Sequence, residues 1–107
     1  MTFEDLRRRI HQLQLGGASD HEITTRYELN IYREVDRRRD DLAVKIGDVR
    51  RQLRELRIMS AREEIDGMPI SDEQWMTRVR AGIEKLEKLR AAADGCEHQV
   101  RKELLLV

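Results

Sequence analysis

The sequence predicts an all-α chain, a short N-terminal helix followed by a long antiparallel helical hairpin of coiled-coil type that assembles into a dimeric helical bundle. Three observations predict it. Tyr32, Val35, Leu42, Ile46, Val49, Leu53 and Leu56 recur at three-four spacing, the repeat that lays one apolar seam along an α-helix. Trp75, Val79, Ile83, Leu86, Leu89, Ala93, Cys96, Val100 and Leu104 repeat that spacing further on. Charged residues make up 39% of the chain and aromatics 4%, with Phe3, Tyr27, Tyr32 and Trp75 as the whole aromatic set, a balance that suits long solvated helices better than a layered globule.

Phe3, Leu6, Ile10 and Leu13 mark the first helix, about residues 3–15, with Arg7, Arg8 and Arg9 around its polar side. Gly16-Gly17 ends it, because glycine permits the left-handed conformation that terminates helices. Ser19-Asp20-His21-Glu22 then reads as a capping box opening the second helix, about residues 20–66. At roughly 1.5 Å per residue that helix spans about 70 Å. Gly47 is its soft point, a bend or a close approach of neighbouring backbone.

Asp66-Gly67-Met68-Pro69 supplies the turn, and Ile70-Ser71-Asp72-Glu73-Gln74-Trp75 combines a cap at Ser71, a box closed by Gln74 and a staple from Ile70 to Trp75. The third helix follows, about residues 72–105, with Gly95 as a weak point. A short turn between long helices makes them antiparallel neighbours, placing Leu53 near Ile83 and Leu86, Val49 near Leu89, Ile46 near Ala93 and Leu42 near Cys96. The first helix then lies along the overhang of the second and covers Ile23, Tyr27 and Ile31. The 107 residues are expected to form a single helical domain.

Lys plus Arg number 21 and Asp plus Glu 21. The balance holds locally, at three basic against two acidic in residues 1–18, eleven against twelve in 19–66 and seven against seven in 67–107. Phosphate recognition draws its affinity from counterion release and needs a basic stripe, so direct nucleic-acid binding is not expected. The acidic and Arg-rich N-terminus lacks a signal-like apolar run, and the longest apolar run, Leu104 to Val107, cannot span a bilayer. One cysteine allows no intrachain disulfide. A cytoplasmic location without membrane contact is the expectation.

Catalytic and metal chemistry find no footing, and no cofactor is expected. Cys96 and His98 stand two apart on a helix and point about 200° apart, so Cys96 reads as seam packing rather than as a ligand. His11 and His21 could meet only across the Gly16-Gly17 turn. Glu63-Glu64 and Asp72-Glu73 lack the enclosure that makes paired carboxylates catalytic. Arg37-Arg38-Arg39 with Asp40-Asp41 reads as a solvated face carrying a Glu34 to Arg38 pair, except that Arg39 is assigned to the seam, where a polar residue fixes register or partner choice.

A hairpin buries one narrow seam, which seldom offsets the entropy of ordering a hundred residues. A further interface is therefore expected. Leu29, Val44, Ile58, Met59 and Ile65 lie off the seam, and Arg50, Arg51, Arg54 and Arg57 form a basic flank beside it. With Tyr27, Ile31, Val35 and Arg39 these are the expected protein-binding residues, Ile65 aside. Self-association into an antiparallel four-helix arrangement is the simplest solution, and a different protein is the alternative.

Phe3-Glu4-Asp5-Leu6-Arg7 leading to Ile10 and Leu13, a glycine break, and a capped helix beginning Ile23-Thr24-Thr25-Arg26 resemble the latter part of MerR-type transcription regulators over residues 3–57. In that family a short helix precedes a long one that pairs antiparallel with its twin. The resemblance implies the dimerising part without the winged helix-turn-helix that reads DNA, and Ser19-Asp20 stands where metal-sensing members carry a cysteine. The expectation is a non-catalytic coiled-coil interaction module, an adaptor, inhibitor or assembly factor, acting as a homodimer with an unidentified protein partner. The alternative is a dimerisation component of a transcription regulator that acts through a DNA-binding partner.

Overall fold

The structure, a computed structural model, describes residues 1–62, 64–65, 68–69 and 72–106, and the side chains of 1–57 and 73–106. Among these the fold is all-helical: α1 (Phe3–Leu15), α2 (Asp20–Arg62), α3 (Asp72–Asp94) and α4 (Cys96–Glu103). Two-residue strands β1 (Glu64–Ile65) and β2 (Met68–Pro69) pair antiparallel, Glu64 with Pro69 and Ile65 with Met68, too little to form a layer. No helix is long and apolar enough to cross a membrane among the described residues.

The first helix opens on a capping box that its sequence, Thr2-Phe3-Glu4-Asp5, carries in full. Thr2 Oγ1 accepts from the Asp5 amide and Asp5 Oδ2 accepts from the Thr2 amide. Those contacts and nearby Arg8 hold the Asp5 carboxyl below its usual range. At the other end Gly17 adopts φ +85°, Ala18 N–H donates to Leu13 O and Gly17 N–H to Gln14 O, the paired bonds of a Schellman stop. Ser19 Oγ accepts from the Glu22 amide at the start of α2.

Three boundaries differ from the sequence expectation. The second helix ends at Arg62 rather than 66, and its one non-helical residue is Tyr27 (φ −110°, ψ 17°), not Gly47, which stays helical. The third helix stops at Asp94, because Gly95, lacking a side chain to hold helical geometry, turns to φ −92°, ψ 4° and opens α4. The capping and staple contacts expected of Ile70 and Ser71, and the turn at Asp66-Gly67, lie outside the described residues.

The chain divides into two compact units, residues 1–40 with 94–107, and residues 41–93. The first unit combines α1, the first half of α2 and α4. Its interior is closed: Leu6, Ile10, Ile23, Ile31, Val35, Cys96, Val100 and Leu104 are buried, with Tyr27 and Leu106 nearly so. Cys96 is thus a small apolar residue of this core. Gln14 on α1 donates from Nε2 to Leu104 O and Leu105 O, each at 3.2 Å, satisfying carbonyls at the end of α4 that have no helical partner.

Arg38 joins the three helices of this unit. Its Nε donates to Glu34 Oε1 at 2.9 Å, its two terminal nitrogens meet both oxygens of Glu103, and its guanidinium lies 5.0 Å from the centre of the Phe3 ring. Arg37 also donates to Glu34, at 2.6 Å. These guanidinium contacts hold the Glu34 carboxyl below its usual range, Arg37 foremost, and Arg38 does the same for Glu103. Tyr32 Oη donates to Glu97 Oε1 at 3.4 Å.

The second unit holds the rest of α2, the β1–β2 pair and α3 up to Ala93. Trp75 Nε1 donates to Leu56 O at 2.9 Å, and Gly82 lies against Leu53 so closely that a Cβ there would stand 2.7 Å from Leu53 Cδ2.

Candidate protein-interaction surface

The second unit leaves its seam open. Leu42, Ile46, Leu53 and Leu56 on α2 and Trp75, Val79, Gly82, Leu86, Leu89 and Ala93 on α3 are only partly buried, and among the described side chains of this unit Val49 alone is buried. The spacing alternates between four and three residues on both helices, so each stripe is narrow and one neighbour covers only its centre. A groove of about 400 Å³ runs beside this seam, lined by Gln52, Leu53, Glu55 and Leu56 of α2 and Arg78, Ala81, Gly82 and Lys85 of α3.

Ala81 and Gly82 lower one wall of the groove. Gly82 was not singled out by sequence, although it falls on the stripe between Val79 and Leu86 at the position where the expected pattern placed Ile83. Ile83 instead is 45% exposed, and Met76, seven residues earlier on the same side of α3, is 47% exposed. Shifting the stripe by one residue exchanges a branched side chain for glycine and brings the helices close at that level. Gly47, where such an approach was expected, faces open space.

The basic flank, Arg50, Arg51, Arg54 and Arg57, is exposed. Arg51 pairs with Asp48 at 3.2 Å, an exposed contact that contributes little. Arg50, Arg54 and Arg57 follow one another by four and three residues, so they share one side of α2, and none of them lines the groove.

The remaining expected surface residues divide. Leu29 (72%) and Val44 (66%) are exposed, each in its own unit. Tyr27, Ile31 and Val35 are interior residues of the first unit and offer no surface, because α1 and α4 contribute to the same closed core. Arg39 is exposed rather than on the seam. From Val35 the alternation continues by three to position 38, which is why Arg38 and not Arg39 makes the contacts between helices. The side chains of Ile58 and Met59 lie outside the described residues.

Among the described residues no three His, Cys, Asp or Glu side chains gather to hold a metal. Cys96 is buried while His98 is exposed, and His11 and His21 are both exposed. The chain matches no family model, no curated protein and no solved structure.

Proposed function

We propose that this chain is a non-catalytic helical interaction module, in which the second unit forms an antiparallel helical hairpin that pairs with a second copy and offers its basic flank to another protein. The observation that carries the reading is the contrast between the two units. One closes its core to near-zero exposure, whereas the other, among its described residues, leaves a ten-residue seam half covered around a single buried valine. Apolar surface left open in this way gains roughly 25 cal/mol per Å² when covered. The hairpin is supported by contacts that step in opposite directions along the two helices, Leu53 with Gly82 and Leu56 with Trp75.

Arg50, Arg54 and Arg57, with exposed Met76 and Ile83, suit an acidic amphipathic segment of a partner protein. This flank fits adaptor or assembly work. Static light scattering of the full chain across a dilution series from millimolar to micromolar tests the pairing. A dimer mass over the upper part of the range is expected, and a monomer at the highest concentration overturns it.

A further inference from the structure

We propose that the groove beside Gly82 is the face through which two copies join, with α2 of each copy lying on α3 of the other about a two-fold axis parallel to the helices. The inference rests on the pairing proposed above and adds its surface and geometry.

Charge selects the face. On α2, Asp41, Asp48 and Glu55 stand at seven-residue intervals and therefore share one side, and Glu55 places that side at the groove. On α3 the groove side carries Arg78 and Lys85, continued by Lys88. Asp48, Glu55, Arg78, Lys85 and Lys88 are all exposed. Lys45 departs from the acidic stripe, and near its level α3 carries Ala92. One helix thus presents a mainly acidic edge and the other a basic edge, on either side of a groove floored by Leu53 and Leu56.

The same charges select the axis. An axis perpendicular to the helices stacks α2 on α2 and sets acid against acid, while a parallel axis sets the acidic edge of each copy on the basic edge of the other. Register agrees with it. Leu53 lies beside Gly82, so Asp48, five residues back along α2, stands within about one residue rise of Lys88, six residues on along α3. By the same stepping Glu55 falls between the levels of Arg78 and Lys85.

The opposite side of the hairpin does not complement itself in this way. It carries Arg50, Arg54 and Arg57 on α2 and Arg80 and Arg90 on α3 against Glu73 and Glu87, so two copies joined there meet with excess positive charge. Ala81, small and exposed, adds steric room on the groove side for a neighbouring helix, while Leu53 of the same copy fills the space beside Gly82.

Two charge-reversed proteins test the proposal: one carrying Asp48→Lys and Glu55→Lys, the other Lys85→Glu and Lys88→Glu. Sedimentation velocity is run on each alone and on their equimolar mixture, with helicity checked by circular dichroism. Each variant alone sets like charges across the joint, and its dimer dissociation constant is expected to rise at least about 100-fold over the unaltered chain. Mixing restores opposite charges at both joints and is expected to return the dimer to within about tenfold. An unaltered chain that is a monomer at millimolar concentration removes the pairing itself. If that chain is a dimer while either variant alone dimerises as tightly, or the two helical variants fail to associate on mixing, the pairing stands and the groove face is overturned.

Discussion

Adding one methyl group at Gly47 and, separately, at Gly82 compares two helical glycines that differ in what the methyl meets. Both lie inside helices, where alanine exceeds glycine by about 1 kcal/mol through lower conformational entropy in the unfolded chain. At Gly47 a Cβ finds nothing within 4 Å, so Gly47→Ala is expected to stabilise the protein by the full amount, about 1 kcal/mol. At Gly82 the Cβ stands 2.7 Å from Leu53 Cδ2 and 3.2 Å from Leu53 Cγ, inside contact distance. Leu53 must yield, and forcing an extra methyl into a filled site costs roughly 1–3 kcal/mol. Gly82→Ala is therefore expected to be neutral or destabilising by up to about 2 kcal/mol, the propensity gain set against the clash. Leu53 is partly exposed and has some room, which favours the lower end. In a Leu53→Ala background the obstacle is gone and Gly82→Ala should again stabilise by about 1 kcal/mol, giving a coupling of at least about 1 kcal/mol across the pair. Urea unfolding followed by circular dichroism, with all variants at one protein concentration, reads these differences. Equal stabilisation by the two single substitutions, with no coupling to Leu53, would refute the close approach of α3 to α2 at this level.

Two further substitutions concern the first unit. Leu105 follows α4 at φ +58°, with its amide donating to Lys102 O and the Leu106 amide to Arg101 O, so a leucine occupies the left-handed position that glycine usually takes. Its side chain is 68% exposed and loses little burial, so Leu105→Gly is expected to stabilise by about 0.5–1 kcal/mol, read as a rise in thermal midpoint. Glu34 and Glu103 have folded-state pKa values below their unfolded ones, so their contribution is present above about pH 4.5 and is lost as pH falls through the lowered values. Arg38→Met is accordingly expected to cost about 1–2 kcal/mol at pH 7 and clearly less at pH 3, and thermal melts that drop equally at both pH values would contradict this.

Sequence periodicity revealed the helical class, the stop at Gly17 and the capped start of α2, because each rests on contacts within a few residues. Tertiary balance decided the rest. Gly47 and Gly95 carry the same local weakness, yet only Gly95 opens the helix; between Asp94 and Cys96 the chain passes from the last residue of α3 to a buried core position, whereas Gly47 faces open space. The break at Tyr27 had no local signal, since tyrosine is an acceptable helix residue and its side chain is nearly buried in the first unit. The box at Thr2 and Asp5 was missed, although the spacing of a threonine three residues before an acid carries its signal. For the candidate surface, a one-residue error in phase exchanged Ile83 for Gly82 and Arg39 for Arg38, and in each case hid the residue that makes the contact.

Phase and period together explain why one unit closes and the other does not. Ile23, Tyr27, Ile31 and Val35 recur every four residues, and at about 100° per residue the row turns through an arc of about 120°. So wide an arc needs cover from two directions, and in that unit α1 and α4 both contribute to the buried interior. From Leu42 to Leu56 the steps alternate between four and three, confining the row to about 80°. A row that narrow is satisfied at its centre by one helix, which accounts for buried Val49 between partly exposed neighbours. Among its described residues the second unit therefore has the apolar row but no second neighbour to cover it. The seven-residue repeat of Asp41, Asp48 and Glu55 keeps step with the seam over the same stretch, as a charge edge must if it is to set the register of an incoming helix.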